Sequence, residues 1–376
     1  MNDSRLHIVF SGGGTGGHLF PGLAVAEELV RRSPRARITF AGSGKDLERR
    51  ETAAAGFQYI ALPCRPIPQR ARDTAAFLGK NVAGMLAAGR FLGRNNVTAV
   101  VGLGGYASVP AARAAGRRGL PLVLMEQNAV PGRATRWLAR RASLVCTAWP
   151  QAELRLRCRC PVCVTGTPVR RAFRATENTP AAGPRQLLIL GGSGGAQSVN
   201  ENLPVALGKI RSPLDSWKVV HQSGERDFEM TRELYRKLAL PAVVKAFIAD
   251  MPEVLRSSDL VICRAGGATL AELAITGAPA VLLPYPHATD DHQRCNAELY
   301  AGSGAAVMLD QRQVSGRFDD QLAGTISELL IDRHRRRQMS AAAGRLARPN
   351  AASHVARSIL ELAGIASPQV PGRAAA

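Results

Sequence analysis

Short apolar runs alternate with amphipathic segments along the whole chain, and most of these runs end in glycine or a polar residue. Such runs are typical of buried parallel strands, and the segments between them carry apolar residues at helical spacing. The pattern predicts an α/β protein made of two doubly wound parallel-sheet domains. The predicted strands are His7–Phe10, Ile38–Ala41, Val97–Val101, Leu122–Met125, Ser143–Cys146, Val162–Val164, Leu187–Leu190, Val219–Gln222, Val243–Phe247, Leu260–Cys263, Ala280–Leu283 and Ala305–Met308.

A change of composition divides the two predicted domains. Residues 175–185 are rich in Ala, Pro and Thr and lack any periodicity, which indicates a linker. We therefore expect an N-terminal domain over residues 1–174 and a C-terminal domain over residues 186–345. Residues 346–376 are predicted to form a C-terminal helix and a disordered tail.

Length and composition narrow the class of protein. The chain has 376 residues, enough for two separate cores, and no apolar run approaches the roughly 20 residues that span a bilayer. The N-terminus lacks the features of a signal peptide, so we expect a cytoplasmic protein. The seven cysteines show no disulfide framework, which fits that compartment.

Three cysteines, Cys158, Cys160 and Cys163, lie close together in the sequence. A zinc site needs four ligands, usually in two paired clusters, and no second pair is visible. We therefore interpret them as part of a strand and its approach, and we expect no metal site.

The formal net charge of +20 is unevenly distributed. Residues 65–94 hold six basic residues and one acid, and residues 133–174 hold ten arginines and one acid. Such a field attracts nucleic acid, anionic membranes or phosphorylated substrates. The basic stretches contain few aromatic residues and no recognisable nucleic-acid-binding module, so we expect no nucleic-acid partner.

The first basic stretch is also amphipathic. Its apolar residues recur at near-helical spacing, with Lys80, Arg90 and Arg94 among the basic residues around them. A basic amphipathic helix can lie on an anionic membrane surface. A core-facing helix with solvated basic residues explains the pattern equally well. The apolar residues are Phe77, Leu78, Val82, Met85, Leu86, Phe91 and Leu92.

A glycine-rich loop follows the first predicted strand and ends at His18, and Pro21 suits the start of the next helix. The loop formally satisfies the dinucleotide fingerprint G-x-G-x-x-G, which also requires an acid at the end of the second strand. Residues 42–45 read Gly-Ser-Gly-Lys there, which disfavours NAD. His18 is better placed for chemistry than for packing.

A second glycine turn, Gly266-Gly267, joins a strand to a helix that carries Glu272. Glycine lets the backbone approach a phosphate, the helix N-terminus offers N–H groups, and a carboxylate can accept hydrogen bonds from a ribose diol. A plain glycine turn with a dipole-favoured glutamate is the alternative. Further polar residues that follow predicted strands and would gather at the ligand-binding edge of the sheet are Thr15, His18, Tyr106, Glu126, Asn128 and Arg170.

Taken together, seven motifs resemble the MurG family of glycosyltransferases. They are GGGTGGH (12–18), GGY (104–106), EQN (126–128), TGTPVR (165–170), GGSGGA (191–196), RAGGATLAE (264–272) and DHQ with NA (291–297). The resemblance implies a GT-B fold of two facing Rossmann-like halves. It also implies transfer of N-acetylglucosamine, with inversion, from UDP-N-acetylglucosamine to the C4 hydroxyl of the undecaprenyl-pyrophosphoryl-muramyl-pentapeptide of cell-wall synthesis. Neither a cofactor nor a donor-site metal is implied, and the protein would be peripheral on the cytoplasmic face of the membrane.

The resemblance also assigns roles to residues. His18 would be the base or an acceptor-side residue. Our own first choice for the base is His18, with Glu126 as the next candidate, and we expect Tyr106 on the acceptor side. Glu272 would take the ribose, Gln293 the sugar hydroxyls, and the backbone of Ile248 the uracil. The donor contacts that it implies are Thr15, Gly16, Gly17, Asn128, Arg170, Ser193, Ile248, Gly267, Ala268, Thr269, Leu270, Ala271, Glu272 and Gln293.

Two positions depart from the family pattern, which usually has Asn where Thr167 stands and Gln where Gly194 stands. A nucleotide-sugar epimerase of the same architecture is the nearest alternative function. An NAD-dependent oxidoreductase and a non-enzymatic RNA- or membrane-binding protein are the others, and titration with UDP-sugar, NAD and RNA separates them.

Overall fold

A computed structural model describes residues 6–68, 70–174, 185–191, 196–313 and 316–364. The chain divides into two compact units. The N-terminal unit comprises residues 1–127, 131–168 and 350–376, and the C-terminal unit comprises residues 128–130 and 169–349. Residues 128–130 therefore belong by their contacts to the C-terminal unit, although the chain on both sides of them belongs to the other unit.

The N-terminal unit is built on a seven-stranded parallel sheet. Its strands are β1 (His7–Ser11), β2 (Arg37–Gly42), β3 (Gln58–Ala61), β4 (Ala99–Gly102), β5 (Leu122–Glu126), β6 (Leu144–Thr147) and β7 (Val162–Val164). They lie in the order β3-β2-β1-β4-β5-β6-β7. The connecting helices are α1 (Gly16–Arg32), α2 (Asp46–Ala54), α3 (Thr74–Arg94), α4 (Val109–Arg117) and α5 (Arg133–Leu138).

The C-terminal unit repeats this plan with six parallel strands. They are β8 (Arg185–Leu190), β9 (Trp217–Gln222), β10 (Ala242–Lys245), β11 (Leu260–Cys263), β12 (Ala280–Leu282) and β13 (Ala306–Met308), in the order β10-β9-β8-β11-β12-β13. The helices are α6 (Gln197–Gly208), α7 (Arg211–Leu214), α8 (Phe228–Lys237), α9 (Met251–Arg256), α10 (Gly267–Thr276), α11 (His292–Gly302), α12 (Phe318–Ile331) and α13 (Arg333–Leu346).

In both sheets the strand order reverses between two neighbouring strands, β1 and β4 in one unit and β8 and β11 in the other. This is the doubly wound Rossmann order, and ligands bind in such folds where the order reverses, at the carboxyl ends of the strands. The glycine-rich loop after β1 and the glycine turn after β4 therefore meet at that point. The predicted fold class is confirmed.

Strand β1 shows how the sequence pattern fixes the two faces of the sheet. Ile8 and Phe10 pack with α1 and with a last helix, α14 (Ala351–Leu362), whereas Val9 packs on the opposite face against α3 and α4. Successive strand side chains point to opposite faces, so a strand that is apolar throughout must be covered on both. Helix α14 thus completes the core of the N-terminal unit, where the guanidinium of Arg32 donates to Ser353 at 2.6 Å.

All twelve predicted strands are present, with ends that differ by at most two residues. The sequence pattern missed β3, a four-residue edge strand whose residues are all at least partly exposed, because it lacks a continuous apolar run. The expected helix start at Pro21 is wrong, since α1 begins at Gly16. Pro21 lies in the second turn, where its ring costs a single intrahelical hydrogen bond near the N-terminus.

In the N-terminal unit, the segment that begins at residue 131 ends at Pro168, and residues 350–376 also belong to this unit. Arg185, the last residue of the predicted linker, begins β8, and the rest of that linker lies outside the described residues. Residues 365–376, which include the predicted disordered tail, also lie outside them.

In the described part of the chain, no helix is both long and apolar enough to span a bilayer. All seven cysteines are free thiols. Cys160 Sγ lies 3.9 Å from the carbonyl oxygen of Ala139, and Cys158 Sγ lies 3.7 Å from that of Cys160. The described residues contain no group of three or more His, Cys, Asp or Glu side chains placed to hold a metal ion.

Candidate active site

The loop after β1 is made of consecutive glycines with positive φ. Gly12, Gly13 and Gly14 have φ of 137°, 136° and 82°. A Cβ at Gly12 would lie 2.8 Å from Cβ of Leu103, so the loop passes directly against the turn after β4. Only glycine fits such a backbone.

His18 lies in the first turn of α1, with a half-buried side chain. Its Nδ1 is 3.1 Å from Oγ1 of Thr15, the residue that precedes the helix. When Nδ1–H donates to Thr15, the lone pair of the ring lies on Nε2, and Nε2 is then the basic atom. Thr15 therefore has the geometry to select the tautomer that a general base at Nε2 requires.

The turn after β4 packs against the same imidazole. A Cβ at Gly104 would lie 2.9 Å from Cδ2 and 3.2 Å from Nε2 of His18. Tyr106 follows this turn, and its Cε1 is 4.0 Å from where a Cβ of Gly14 would stand. The structure thus brings together three residues selected from the sequence, Thr15, His18 and Tyr106.

Glu126 is the last residue of β5 and is buried. Its Oε2 accepts a hydrogen bond of 2.9 Å from the backbone N–H of Gly132. This bond closes the loop that carries Asn128, so one oxygen of the Glu126 carboxylate stabilises that loop. The departure from the family pattern at Thr167 also lies in the N-terminal unit, where the threonine side chain is buried.

Asn128 belongs to the C-terminal unit and contacts Asn296. The side-chain amide of Asn296 donates to Oδ1 of Asn128 at 3.0 Å and to the carbonyl oxygen of Ala265 at 3.0 Å. Its Oδ1 accepts from the backbone N–H of Ala129 at 2.8 Å. Asn296 is fully buried and therefore fixes the segment of Asn128 to the turn that precedes α10.

Helix α10 begins at Gly267 directly after the turn, so its first N–H groups have no intrahelical acceptor and can bind an anion. Gly267 is buried and Ala268, Thr269 and Ala271 are partly exposed, whereas the side chain of Leu270 is buried in the core. In the first glycine loop, Gly16 and Gly17 begin α1 in the same way.

Glu272 lies on α10, and its carboxylate makes no hydrogen bond within the described residues. Burial raises its pKa to about 7, and the positive charge of Arg170 acts in the opposite direction. A carboxylate that is short of hydrogen-bond donors, on a residue that is partly exposed, is suited to accept bonds from two hydroxyls of a ligand. The guanidinium of Arg170 lies over the ring of Phe173, 5.4 Å from its centroid.

The loop from Pro284 to Gln293 follows β12, and hydrogen bonds to side chains help to hold it. The guanidinium of Arg264 donates to the carbonyl oxygens of Leu283 at 3.0 Å and Pro284 at 3.2 Å. Oε1 of Gln293 accepts from the backbone N–H of Tyr285 at 3.0 Å, so its amide nitrogen is the group that can donate to a ligand hydroxyl.

Asp290 and Asp291 in this loop have positive φ of 53° and 54°, and the carboxylate of Asp291 pairs with Arg312 at 2.8 Å. Two consecutive non-glycine residues in this region store strain, which is common beside ligand sites. The strained backbone ends two residues before Gln293.

Ile248 is buried, and its backbone N–H donates to Oε1 of Gln222 at 3.1 Å. The N–H is therefore engaged within the protein, and the carbonyl oxygen is the backbone group that Ile248 can offer to a base. Ser193, expected to contact the donor, and Gly194, one of the departures, lie outside the described residues.

Sequence reasoning missed four residues that hold these loops: Glu48, Gln222, Arg264 and Asn296. Arg264 and Asn296 lie within the motifs that were recognised, so their position was a usable signal. Glu48 accepts from the N–H of Gly14 and Gln222 from that of Ile248, and nothing local to Glu48 or Gln222 indicates these distant partners.

Both units of the chain match models of known protein families. Residues 8–147 match the glycosyltransferase family 28 N-terminal domain, and residues 186–355 match the family 28 C-terminal domain. With its two Rossmann-type sheets, the protein is a glycosyltransferase of the GT-B fold.

The relatives narrow this class. The UDP-N-acetylglucosamine–N-acetylmuramyl-(pentapeptide) pyrophosphoryl-undecaprenol N-acetylglucosamine transferase of Methylococcus capsulatus is 41% identical, over 95% of this chain and 99% of the relative. The transferase of the same name from Nitratidesulfovibrio vulgaris is 39% identical, over 93% and 95%. The crystal structure of Acinetobacter baumannii MurG has 32% identity and a TM-score of 0.72, covering 95% of this chain and 99% of that one. The chain belongs to the MurG family.

A UDP-N-acetylglucosamine 2-epimerase structure from Listeria monocytogenes shares 14% identity at a TM-score of 0.68, covering 96% of this chain and 98% of that one. At this identity the likeness concerns the fold alone. It explains why an epimerase was a reasonable alternative from the architecture.

Proposed function

We propose that this protein transfers N-acetylglucosamine from UDP-N-acetylglucosamine to undecaprenyl-pyrophosphoryl-N-acetylmuramyl-pentapeptide. The names of its relatives describe this reaction. The observation within the protein that carries the proposal is Glu272, a partly exposed residue on the helix behind the glycine turn, whose carboxylate makes no hydrogen bond within the described residues. A ribose diol supplies the two donors that this carboxylate lacks.

In the donor site, the first N–H groups of α10 would bind the pyrophosphate and Glu272 the ribose. The carbonyl oxygen of Ile248 would accept from the N3–H of uracil, because its N–H already donates to Gln222. Gln293 would donate its amide nitrogen to a sugar hydroxyl, since its Oε1 is bonded to Tyr285. Thr15, Gly16, Gly17, Asn128, Arg170 and Ser193 complete the proposed donor contacts.

The chemical step forms a bond between the C4 oxygen of the acceptor and the anomeric carbon of the donor. The bond from that carbon to the UDP oxygen breaks, and its electron pair leaves with UDP. Nε2 of His18 would take the proton of the hydroxyl, which fits the tautomer that Thr15 can select. Attack opposite the leaving group inverts the anomeric configuration, and N–H groups at a helix N-terminus would stabilise the charge on UDP.

Glu126 is the second candidate for the base. Its Oε2 is bonded to Gly132, which favours a role in shaping the loop that holds Asn128, and so His18 is the first choice. Tyr106, beside the first glycine loop, is proposed to contact the acceptor.

The acceptor lipid calls for a membrane-facing surface, and α3 offers one. Leu78, Val82 and Leu86 are spaced four residues apart and are 55%, 47% and 53% exposed. They form one stripe along the helix, while Gly84 and Leu92 belong to the buried face beside it. Lys80, Arg90 and Arg94 are exposed on the same helix. An apolar stripe with basic residues binds anionic bilayers.

We accordingly propose a peripheral location on the cytoplasmic face of the cell membrane. The lipid-linked disaccharide product is a building unit of peptidoglycan, so we expect loss of the protein to disturb cell shape and division.

Selective thermal stabilisation tests the donor assignment. UDP-N-acetylglucosamine should raise the melting temperature more than UDP-glucose or UDP-N-acetylgalactosamine, and NAD should leave it unchanged. Stabilisation by NAD alone would refute the assignment. Epimerised sugar released without a lipid acceptor would favour the epimerase instead.

A further inference from the structure

Glu48 is a buried carboxylate that joins two loops at the carboxyl ends of neighbouring strands. It lies in the first turn of α2 and is 1% exposed. Its Oε1 accepts from the backbone N–H of Gly14 at 2.5 Å and from the hydroxyl of Ser43 at 2.9 Å. Its Oε2 accepts from three donors: the N–H of Gly44 at 2.9 Å, the N–H of Lys45 at 3.2 Å and the hydroxyl of Tyr59 at 2.6 Å.

These bonds account for the conformation of the first glycine loop. A Cβ at Gly13 would lie 2.6 Å from Oε1 of Glu48, so the carboxylate rests directly against the backbone. The amine of Lys45 also donates to the carbonyl oxygen of Gly14 at 2.9 Å. Both backbone groups of Gly14 are thus held by residues 45 and 48.

Gly14 precedes Thr15, whose hydroxyl contacts His18 Nδ1 at 3.1 Å. The position of the imidazole therefore depends on the path of the backbone through Gly14. Three glycines with positive φ would otherwise leave this path loosely defined, because glycine has more accessible conformations than any other residue.

We propose that Glu48 is a positioning residue that fixes the first glycine loop and, through Gly14 and Thr15, the imidazole of His18. This inference rests on the proposed function, in which His18 is the base. Glu48 itself has no part in proton transfer, because its oxygens are engaged by five donors and it is buried.

Both oxygens of the Glu48 carboxylate accept hydrogen bonds, so an amide of the same shape cannot replace it. In Glu48→Gln, an amide NH₂ must replace one of the two oxygens. If it replaces Oε1, it faces the N–H of Gly14, and if it replaces Oε2, it faces two backbone N–H groups and a hydroxyl. Two hydrogen-bond donors that face each other in a buried site repel. If the amide oxygen keeps the three bonds that Oε2 accepts, the amide NH₂ faces the N–H of Gly14.

The test compares Glu48→Gln with Glu51→Gln, a change on the same helix at a residue that pairs with Arg50 instead. At saturating donor and acceptor, we expect Glu48→Gln to lower kcat by about tenfold or more, because misplaced catalytic groups lose rate steeply. We also expect KM for the donor to stay within about threefold and the acidic limb of the kcat pH profile to shift, since the His18–Thr15 contact is altered. Glu51→Gln should match the wild type.

A purely structural role would lower the melting temperature and the fraction of protein that binds UDP, while kcat per UDP-binding site and the pH profile stayed unchanged. That result, or a folded Glu48→Gln with wild-type kcat, overturns the inference. If Glu48→Gln does not fold, Lys45→Met serves instead, because it removes only the exposed amine from Gly14. We then expect Lys45→Met to have a lower kcat at an unchanged melting temperature. A kcat of Lys45→Met equal to that of the wild type would overturn the inference. Absence of transfer by the wild-type protein in the same assay would instead refute the proposed function.

Discussion

The imidazole of His18 occupies the space in which a side chain at Gly104 would lie. A Cβ at position 104 would stand 2.9 Å from Cδ2 of His18, a separation that real Cβ contacts do not reach, and Gly104 has a φ of 95°. Two glycine motifs separated by some ninety residues are therefore parts of one site. The loop after β1 supplies the histidine, and the turn after β4 supplies the surface on which its ring rests.

Gly104→Ala should accordingly impair catalysis. The added methyl group strains a backbone with positive φ and displaces the His18 ring, so we expect kcat to fall by about tenfold or more. Steady-state transfer kinetics provide the measurement. Gly89→Ala on α3 is the matched control, because a Cβ there meets nothing within 4 Å, and it should leave kcat unchanged. Equal activity of the two variants would show that His18 does not depend on this contact.

Glu272 should make the stability of the ligand-free protein depend on pH. Its carboxyl holds a proton in the folded protein up to about pH 7, against an ordinary pKa of 4.5 in the unfolded chain. Between these values the folded state binds more protons, so stability falls as pH rises through this window. Glu272→Gln lacks this loss and should be more stable than the wild type by up to about 3 kcal/mol at pH 8, and by less than about 1 kcal/mol at pH 5.

The same substitution should weaken nucleotide binding. The charged carboxylate is the better acceptor for ribose hydroxyls, so affinity for UDP should increase in the wild type as pH rises from 6 to 8. Glu272→Gln should bind UDP about tenfold or more weakly and should retain only the pH dependence that arises from the phosphates themselves. Calorimetric titrations at several pH values measure both effects. Identical binding by the two proteins would remove Glu272 from the donor site.

Asn296 should be important for the stability of the C-terminal unit. Asn296→Ala leaves the N–H of Ala129 and the carbonyl oxygen of Ala265 without their partner in a buried setting. We expect a loss of about 2 to 4 kcal/mol in the free energy of unfolding, measured by denaturant titration. Asn202→Ala on α6, which breaks one bond to the carbonyl oxygen of Ser198, should cost less than about 1 kcal/mol.

The exposed stripe on α3 should bind anionic membranes. In one variant Leu78, Val82 and Leu86 are all changed to Asn, which removes apolar area from the membrane contact. In a second variant the charges of Lys80, Arg90 and Arg94 are reversed, which removes the attraction to anionic lipids. Both variants should lose most of their sedimentation with phosphatidylglycerol vesicles. The control is Ile331→Asn on α12, a residue that is 68% exposed in the C-terminal unit. Unchanged vesicle binding by both α3 variants would contradict the proposal.

The sequence pattern predicted the sheets because parallel strands buried on both faces must be apolar throughout, as β1 and β11 are. It failed at β3, where an edge strand needs no such run. Helix α3 shows a related ambiguity. Apolar periodicity indicated a helix, but only the structure separates the buried side with Gly84 and Leu92 from the exposed stripe.

The loops that carry the candidate site were visible as glycine motifs, but their mutual arrangement was not. Glu48 contacts Gly14 across 34 residues, and Asn296 contacts Asn128 across 168. Neither separation follows a helical or strand period. The pairing of β1 with β2 brings Glu48 to Gly14, whereas no sequence pattern indicates that Asn296 contacts Asn128. The acid that the dinucleotide fingerprint requires at the end of β2 is absent, and the nearby carboxylate of Glu48 binds the glycine loop instead.

The most direct test is transfer itself. Purified protein would be incubated with UDP-N-acetylglucosamine labelled in the sugar and with undecaprenyl-pyrophosphoryl-muramyl-pentapeptide in anionic vesicles, and the product would be analysed by mass spectrometry and NMR. We expect a lipid-linked disaccharide with a new bond to the C4 oxygen and inverted anomeric configuration, and a strongly reduced kcat in His18→Ala. A labelled sugar that never reaches the lipid would contradict the proposed function, and full activity of His18→Ala would contradict the assignment of the base.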